Sequence, residues 1–153
     1  DERCNHTGNY MMSTADKLEG MHPSRKNDML QLFYVISIVI HKLPYYDFYF
    51  TNAGTIPKEV LKASLLVWKR NCTATEYCKS PILMFMQPYL EEVLSMSYGD
   101  EPNYSNLKFL LVKSLLDRNL APSKNVLCSS LLPNQQTVTI NNIALDESNH
   151  IPE

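Results

Sequence analysis

Four cysteines, Cys4, Cys72, Cys78 and Cys128, are the residues of this 153-residue chain best suited to chemistry. Thiols ligate metal ions, exchange electrons or form structural disulfides, and their spacing separates these uses. A structural zinc site needs ligands in pairs two to four residues apart, so that one turn offers two donors to a tetrahedral ion. The nearest pair here, Cys72 and Cys78, has five residues between its members, and His6, His22, His41 and His150 stand singly. Neither a metal site nor a C-x-x-C redox pair is expected, and no cofactor. An even number of cysteines suits two disulfides in an oxidising compartment, with three pairings open. The favoured set joins Cys72 to Cys78, closing a small loop worth about 2 kcal/mol on the chain-entropy model, and Cys4 to Cys128, closing a long one worth about 5 kcal/mol. A crossed pairing of Cys4 with Cys72 or Cys78 is the alternative, and four buried free thiols in a cytosolic protein are the ordinary contrary case.

Three N-x-[ST] triplets, at Asn5, Asn71 and Asn103, are candidate glycosylation acceptors. With thirteen asparagines, roughly two such triplets arise by chance, so their positions carry more weight than their number. Each falls at a terminus or between predicted helices, where a sugar is tolerated. The chain begins at Asp1, which fits removal of a signal peptide.

Catalytic patterns are absent from the local sequence. Glu91 and Glu92 are adjacent, and neighbours on a helix point about 100° apart, so they do not converge on one substrate atom. Four glycines are too few for a phosphate cradle, and no Ser, His and Asp set can be assembled locally. Residues 44–50 read Pro-Tyr-Tyr-Asp-Phe-Tyr-Phe, a density of rings that suits a binding hot spot. In an extended segment Tyr45, Asp47 and Tyr49 would face one way and Tyr46, Phe48 and Phe50 the other. The contrary case is that these rings simply fill the core. Met84, Met86 and Met96, among seven methionines, could line a cavity for an apolar ligand or serve as core filler.

The elements that must position these residues are helical. A first helix is predicted from Pro23 or Ser24 to Leu43, with Met29, Leu30, Leu32, Phe33, Ile36, Val39, Ile40 and Leu43 covering most of its circumference. Gln31, Tyr34, Ser37 and His41 form its polar stripe, and a helix so apolar should be the most buried. A second is predicted after Thr55-Ile56-Pro57, with Val60, Leu61, Ser64, Leu65 and Trp68 on one face and its end before Asn71. A third opens at Ser80-Pro81, is kinked at Pro88 and stops near Gly99. The fourth opens at residues 103–105 and carries Leu107, Leu110, Leu111, Ser114 and Leu115 on one stripe, widened by Phe109, Val112 and Leu116. A short helix over residues 10–18 precedes them. Val138, Ile140, Ile143 and Leu145 alternate as a strand or small hairpin near the C-terminus.

The expected fold is therefore mainly all-α, four-helix-bundle-like, with that short N-terminal helix and a C-terminal strand or hairpin. One domain spans 1–153, divided into an N-terminal segment (1–22), a helical core (23–120) and an extended tail (121–153). The net charge is −2, +1 in the first half and −3 in the second, which disfavours a nucleic-acid surface. The longest apolar stretch, residues 30–40, is too short to span a bilayer. In length, helix count, sparse disulfides and a strand near the end, the chain resembles the short-chain helical cytokines and growth factors; the resemblance is architectural and carries over no residues. Together these features point to a secreted or membrane-tethered extracellular domain, not an enzyme, that binds a protein partner such as a cell-surface receptor or ligand. Tyr45, Tyr46, Phe48, Tyr49 and Phe50 and the exposed faces of the first and fourth helices are the candidate surfaces. The alternative is a carrier of a small apolar ligand in a bundle cavity.

Overall fold

Residues 8–119 are described by the computed structural model, and the described chain is mostly helical, with no strand among the described residues. Cys4, Asn5, Cys128 and the expected C-terminal hairpin lie outside them. Helix α1 (Ala15–Leu18) starts where the Thr14 hydroxyl accepts from the Lys17 amide. It is shorter than the predicted 10–18 segment, whose first residues form turns. Helix α2 (Arg25–Ile40) opens at Ser24, whose backbone is extended and whose hydroxyl accepts the Asn27 backbone amide at 3.2 Å.

Helix α2 buries Leu30 and Phe33 as expected but departs from the sequence expectation elsewhere. Tyr34 and Ser37, assigned to its polar stripe, are buried, whereas Leu32, Val35 and Val39 face outward, Val39 at 77% exposure. Sixteen residues hold more aliphatic side chains than one face can bury, and the neighbours decide which go in. Tyr34 wins because its ring meets Phe33 at 6.0 Å, Tyr77 at 5.9 Å and Tyr45 at 6.4 Å, mostly edge to face. The Asn27 side-chain carboxamide and the Ser37 hydroxyl are also enclosed and make no hydrogen bond among the described residues.

Residues 46–50 are helical rather than extended, and Tyr45 stands in the turn before them. Pro44 precedes the first turn, and helix α3 (Tyr46–Asn52) is closed by the Asn52 side chain on the Phe48 carbonyl at 2.8 Å and by Gly54 at φ +89°. Thr55 hydrogen-bonds back to the Asn52 carbonyl at 2.9 Å, so it ends α3 instead of capping the next helix. Helix α4 (Lys58–Asn71) follows directly on Pro57. Its inward row is Leu61, Leu65 and Lys69, spaced by four, which turns Val60 and Trp68 outward against expectation.

Helix α5 (Ala74–Tyr77) is a single turn held by a capping box: the Thr73 hydroxyl takes the Glu76 amide while the Glu76 carboxylate takes the Thr73 amide at 2.7 Å. Those hydrogen bonds hold the Glu76 carboxyl below its usual range. Next comes a 3-10 turn at Met84–Met86 and then helix α6 (Gln87–Ser95), in whose first turn Pro88 sits. Pro88 thus starts a helix where a kink was expected. An α-helix running through it from Pro81 would lose the bond to the Met84 carbonyl and meet that carbonyl with the ring. Helix α7 (Tyr104–Leu116) opens at Asn103, whose side chain accepts the Asn106 amide at 3.0 Å.

Helix α6 is the centre of one side of the core, packing on α2, α5 and α7, while α4 packs on α1 and α3. Leu18, Phe33, Tyr45, Leu65, Leu83, Met86, Leu90 and Val93 are fully enclosed between these elements. Of α7 only Leu107 is buried; the rest of its apolar stripe is half-covered, and Phe109 and Leu116 are exposed. Truncating Leu90 to Ala should lower unfolding free energy by about 2–5 kcal/mol, whereas Val39→Ala should change it by less than about 0.5 kcal/mol. Urea unfolding of both variants checks the inverted α2: a comparable loss at Val39 would place that side chain in the core.

Candidate functional site

Two features could carry function, a ring cluster on the surface and a buried amine beneath it. Helical winding of α3 splits the five aromatics in a way an extended segment would not. Tyr45 points into the core and is wholly buried, Tyr46, Phe48 and Tyr49 are half-buried with one side against the core, and Phe50 is exposed beside Tyr46 and Tyr49. Tyr46 and Phe50, one turn apart, have ring centroids 4.6 Å apart, and Tyr49 meets Phe50 edge-on at 5.3 Å. Phe50 is 54% exposed. Lys42 closes the patch on one side, 5.3 Å from the Tyr46 centroid and ion-paired to Asp47 at 2.8 Å.

Beneath α3 the fold encloses Lys69, 6% exposed, and no carboxylate is among its partners in the described residues. Its amine donates to the Met11 carbonyl at 2.8 Å and to the Tyr45 hydroxyl at 2.5 Å. It also lies over two ring faces, 4.1 Å from the Tyr45 centroid and 4.4 Å from that of Tyr34. Burial pushes the amine down to about 6. The phenols around it move the other way. Desolvation raises Tyr34 to about 12 and holds Tyr45 and Tyr77 well above their usual value, so all three stay protonated.

A pocket of about 280 Å³ opens beside this amine, lined in part by Lys26, Lys69, Arg70, Asp16, Tyr34 and Cys72. Arg70 binds Asp16 at 2.8 Å and Glu19 at 2.5 Å, which raises its pKa further. Lys26 donates to the Leu94 carbonyl at 3.4 Å and to that of Met96, at the end of α6. No sequence pattern singled out Lys69, Tyr34, Tyr77 or this pocket. The signal in the sequence is spacing: position 69 continues the Leu61 and Leu65 row by another four residues.

Among the described residues Cys72 and Cys78 are not bridged to each other and stand as free thiols, while a pairing of either with Cys4 or Cys128 falls outside those residues. The α5 turn sends Cys78 into the core and leaves Cys72 half-buried at the end of α4. Desolvation raises both, to about 11 for Cys72 and about 12 for Cys78, so neither is a thiolate at neutral pH. Asn71 and Asn103 are both exposed at helix ends. Met86 is core, Met84 is on the surface and Met96 is half-buried, so the three do not share one cavity wall. Glu91 is exposed and accepts from Gln87 at 2.8 Å, a helix-surface contact.

Among the described residues no three His, Cys, Asp or Glu side chains are grouped as a metal ion would require, and no helix is long and apolar enough to cross a membrane. No protein-family model matches the chain, and no curated protein matches it closely enough to count as a relative.

The amine gives stability a definite pH dependence. With a folded value of about 6 against 10.5 for the free side chain, the unfolded chain binds more protons between these limits, so stability should rise with pH there. Cys72 and Cys78 oppose this only above the ordinary thiol value of 9.0, where the unfolded thiols ionise first. Urea midpoints taken from about pH 6.5 to about 8.5 should therefore climb more steeply in the parent than in Lys69→Met. Parallel profiles would mean that the buried amine stays charged.

Proposed function

We propose that this chain is an extracellular helical domain, bundle-like in its longer helices, that acts without catalysis by binding a protein partner such as a cell-surface receptor or ligand. The observation that carries the reading is the outward row of Leu32, Val35 and Val39 on α2, at i, i+3 and i+7. Single exposed aliphatics are ordinary; three along one stripe of a helix form a continuous apolar strip, and such strips mark interaction surfaces. The ring cluster of Tyr46, Tyr49 and Phe50 supplies a second contact area with few rotatable bonds. Both belong to well-formed helices, so little ordering entropy is lost on binding. The extracellular setting rests on the sequons, of which Asn71 and Asn103 stand on exposed helix ends.

Two experiments test the two halves of this reading. The full chain, offered to a cell-surface protein library, should capture a partner, and a Val35→Glu, Val39→Glu variant with unchanged helical circular dichroism should bind at least about tenfold more weakly, as should Phe50→Ala. Undiminished capture by both variants would remove α2 and α3 from the interface. Expressed through a secretory pathway, the chain should lose a glycosidase-sensitive gel shift stepwise in Asn71→Gln and Asn103→Gln. Material that enters the pathway and shows no shift at either site would overturn the glycan assignment.

A further inference from the structure

The pocket beside Lys69 is separate from the surfaces assigned to a protein partner, and its chemistry differs from theirs. Two cations, Lys26 and Arg70, and the Lys69 amine line it together with one carboxylate, Asp16, which Arg70 binds at 2.8 Å while also binding Glu19 at 2.5 Å. Each of the three side chains keeps donor or electron-pair capacity in reserve. Arg70 uses Nε and Nη2 on Glu19 and Asp16, and Nη1 makes no hydrogen bond among the described residues. Lys26 spends two of its N–H groups on the carbonyls that end α6. As a neutral amine, Lys69 has two N–H groups, which match its two acceptors, the Met11 carbonyl and the Tyr45 hydroxyl, and its lone pair is left uncommitted.

We propose that Lys69 is a carbonyl-reactive amine and that the pocket it lines takes a small oxo acid, whose carboxylate is held by Arg70 and Lys26. The Lys69 nitrogen attacks the carbonyl carbon, forming the C–N bond as the C=O π pair moves to oxygen. A proton passes from nitrogen to that oxygen to give a carbinolamine. Water then leaves with the hydroxyl and one more proton as C=N forms, so amine and carbonyl become imine and water with no oxidant or reductant. The Tyr45 hydroxyl, 2.5 Å from the nitrogen and protonated at neutral pH, is placed to assist these proton movements. Desolvation keeps the amine unprotonated at neutral pH, a condition that exposed lysines do not meet. At about 280 Å³ the pocket lies at the small end of ligand sites, which favours a short acid over a large cofactor.

The test is reductive amination of the full-length protein with glyoxylate and cyanoborohydride at neutral pH, mapped by peptide mass spectrometry. Lys69 should acquire the carboxymethyl group at least about tenfold faster than any of the other nine lysines, because the neutral fraction of an ordinary lysine at pH 7 is on the order of one in a thousand. Formaldehyde, which has no carboxylate, should label Lys69 preferentially too. In Arg70→Met, glyoxylate labelling of Lys69 should fall about tenfold while formaldehyde labelling is kept, which separates loss of the anion contact from loss of the folded site. Labelling spread evenly over the lysines, or Lys69 labelled only after denaturation, would overturn the reactive amine. Equal loss of both reagents, or of neither, in Arg70→Met would overturn the carboxylate subsite.

Discussion

The contact on which most of the structure depends is the burial of one amine. Lys69 joins three stretches that are distant in sequence, the turn at Met11, the residue that leads into α3, and α4 itself. Removing an amine from water is costly, and the fold offsets that cost with two acceptors and two ring faces in place of a counter-charge. The tyrosines are therefore more than filler. Tyr34 and Tyr45 present their faces to the nitrogen, and Tyr77 braces both rings from α5 at 5.9 and 6.4 Å.

That arrangement explains which faces are left outside. Because Tyr34 must reach the amine, α2 is rotated so that Tyr34 and Ser37 point inward, and Leu32, Val35 and Val39 are carried outward with the opposite face. Drawing Tyr45 into the same cluster leaves Tyr46, Tyr49 and Phe50 to stack on one another at the edge of the core, with Phe50 the exposed ring. The proposed partner surface and the polar centre are thus two consequences of one packing choice. Exposed aliphatics that look wasteful on α2 are the complement of a buried polar network.

The network also separates two kinds of behaviour within one small domain. The strip on α2 and the rings on α3 are flat, apolar and outward, suited to a macromolecular face. The pocket by Lys69 is concave and lined by polar side chains, with the proposed nucleophile among them. Arg70 stands between them in kind: its ion pairs with Asp16 and Glu19 fasten α1 to α4 and at the same time shape the pocket mouth.

Local signals in the sequence determined where most helices begin and end, because capping and proline chemistry act over a few residues. Ser24 starts α2, Pro57 precedes α4, and Asn103 starts α7, as their side chains dictate. Where two local rules competed, packing arbitrated. Pro88 could kink a long helix or start a short one, and the structure took the second course. Which face of each helix is inward was decided only in three dimensions. Periodicity locates apolar stripes, but α2 is apolar nearly all round, and on α4 Trp68 and Lys69 are adjacent with opposite expected fates. A lysine goes inside only when distant segments supply its acceptors, and those partners, Met11 and Tyr45, lie 58 and 24 residues away along the chain. No reading of neighbours in sequence reports such a meeting, because the free energy that justifies it exists only once the three segments have come together.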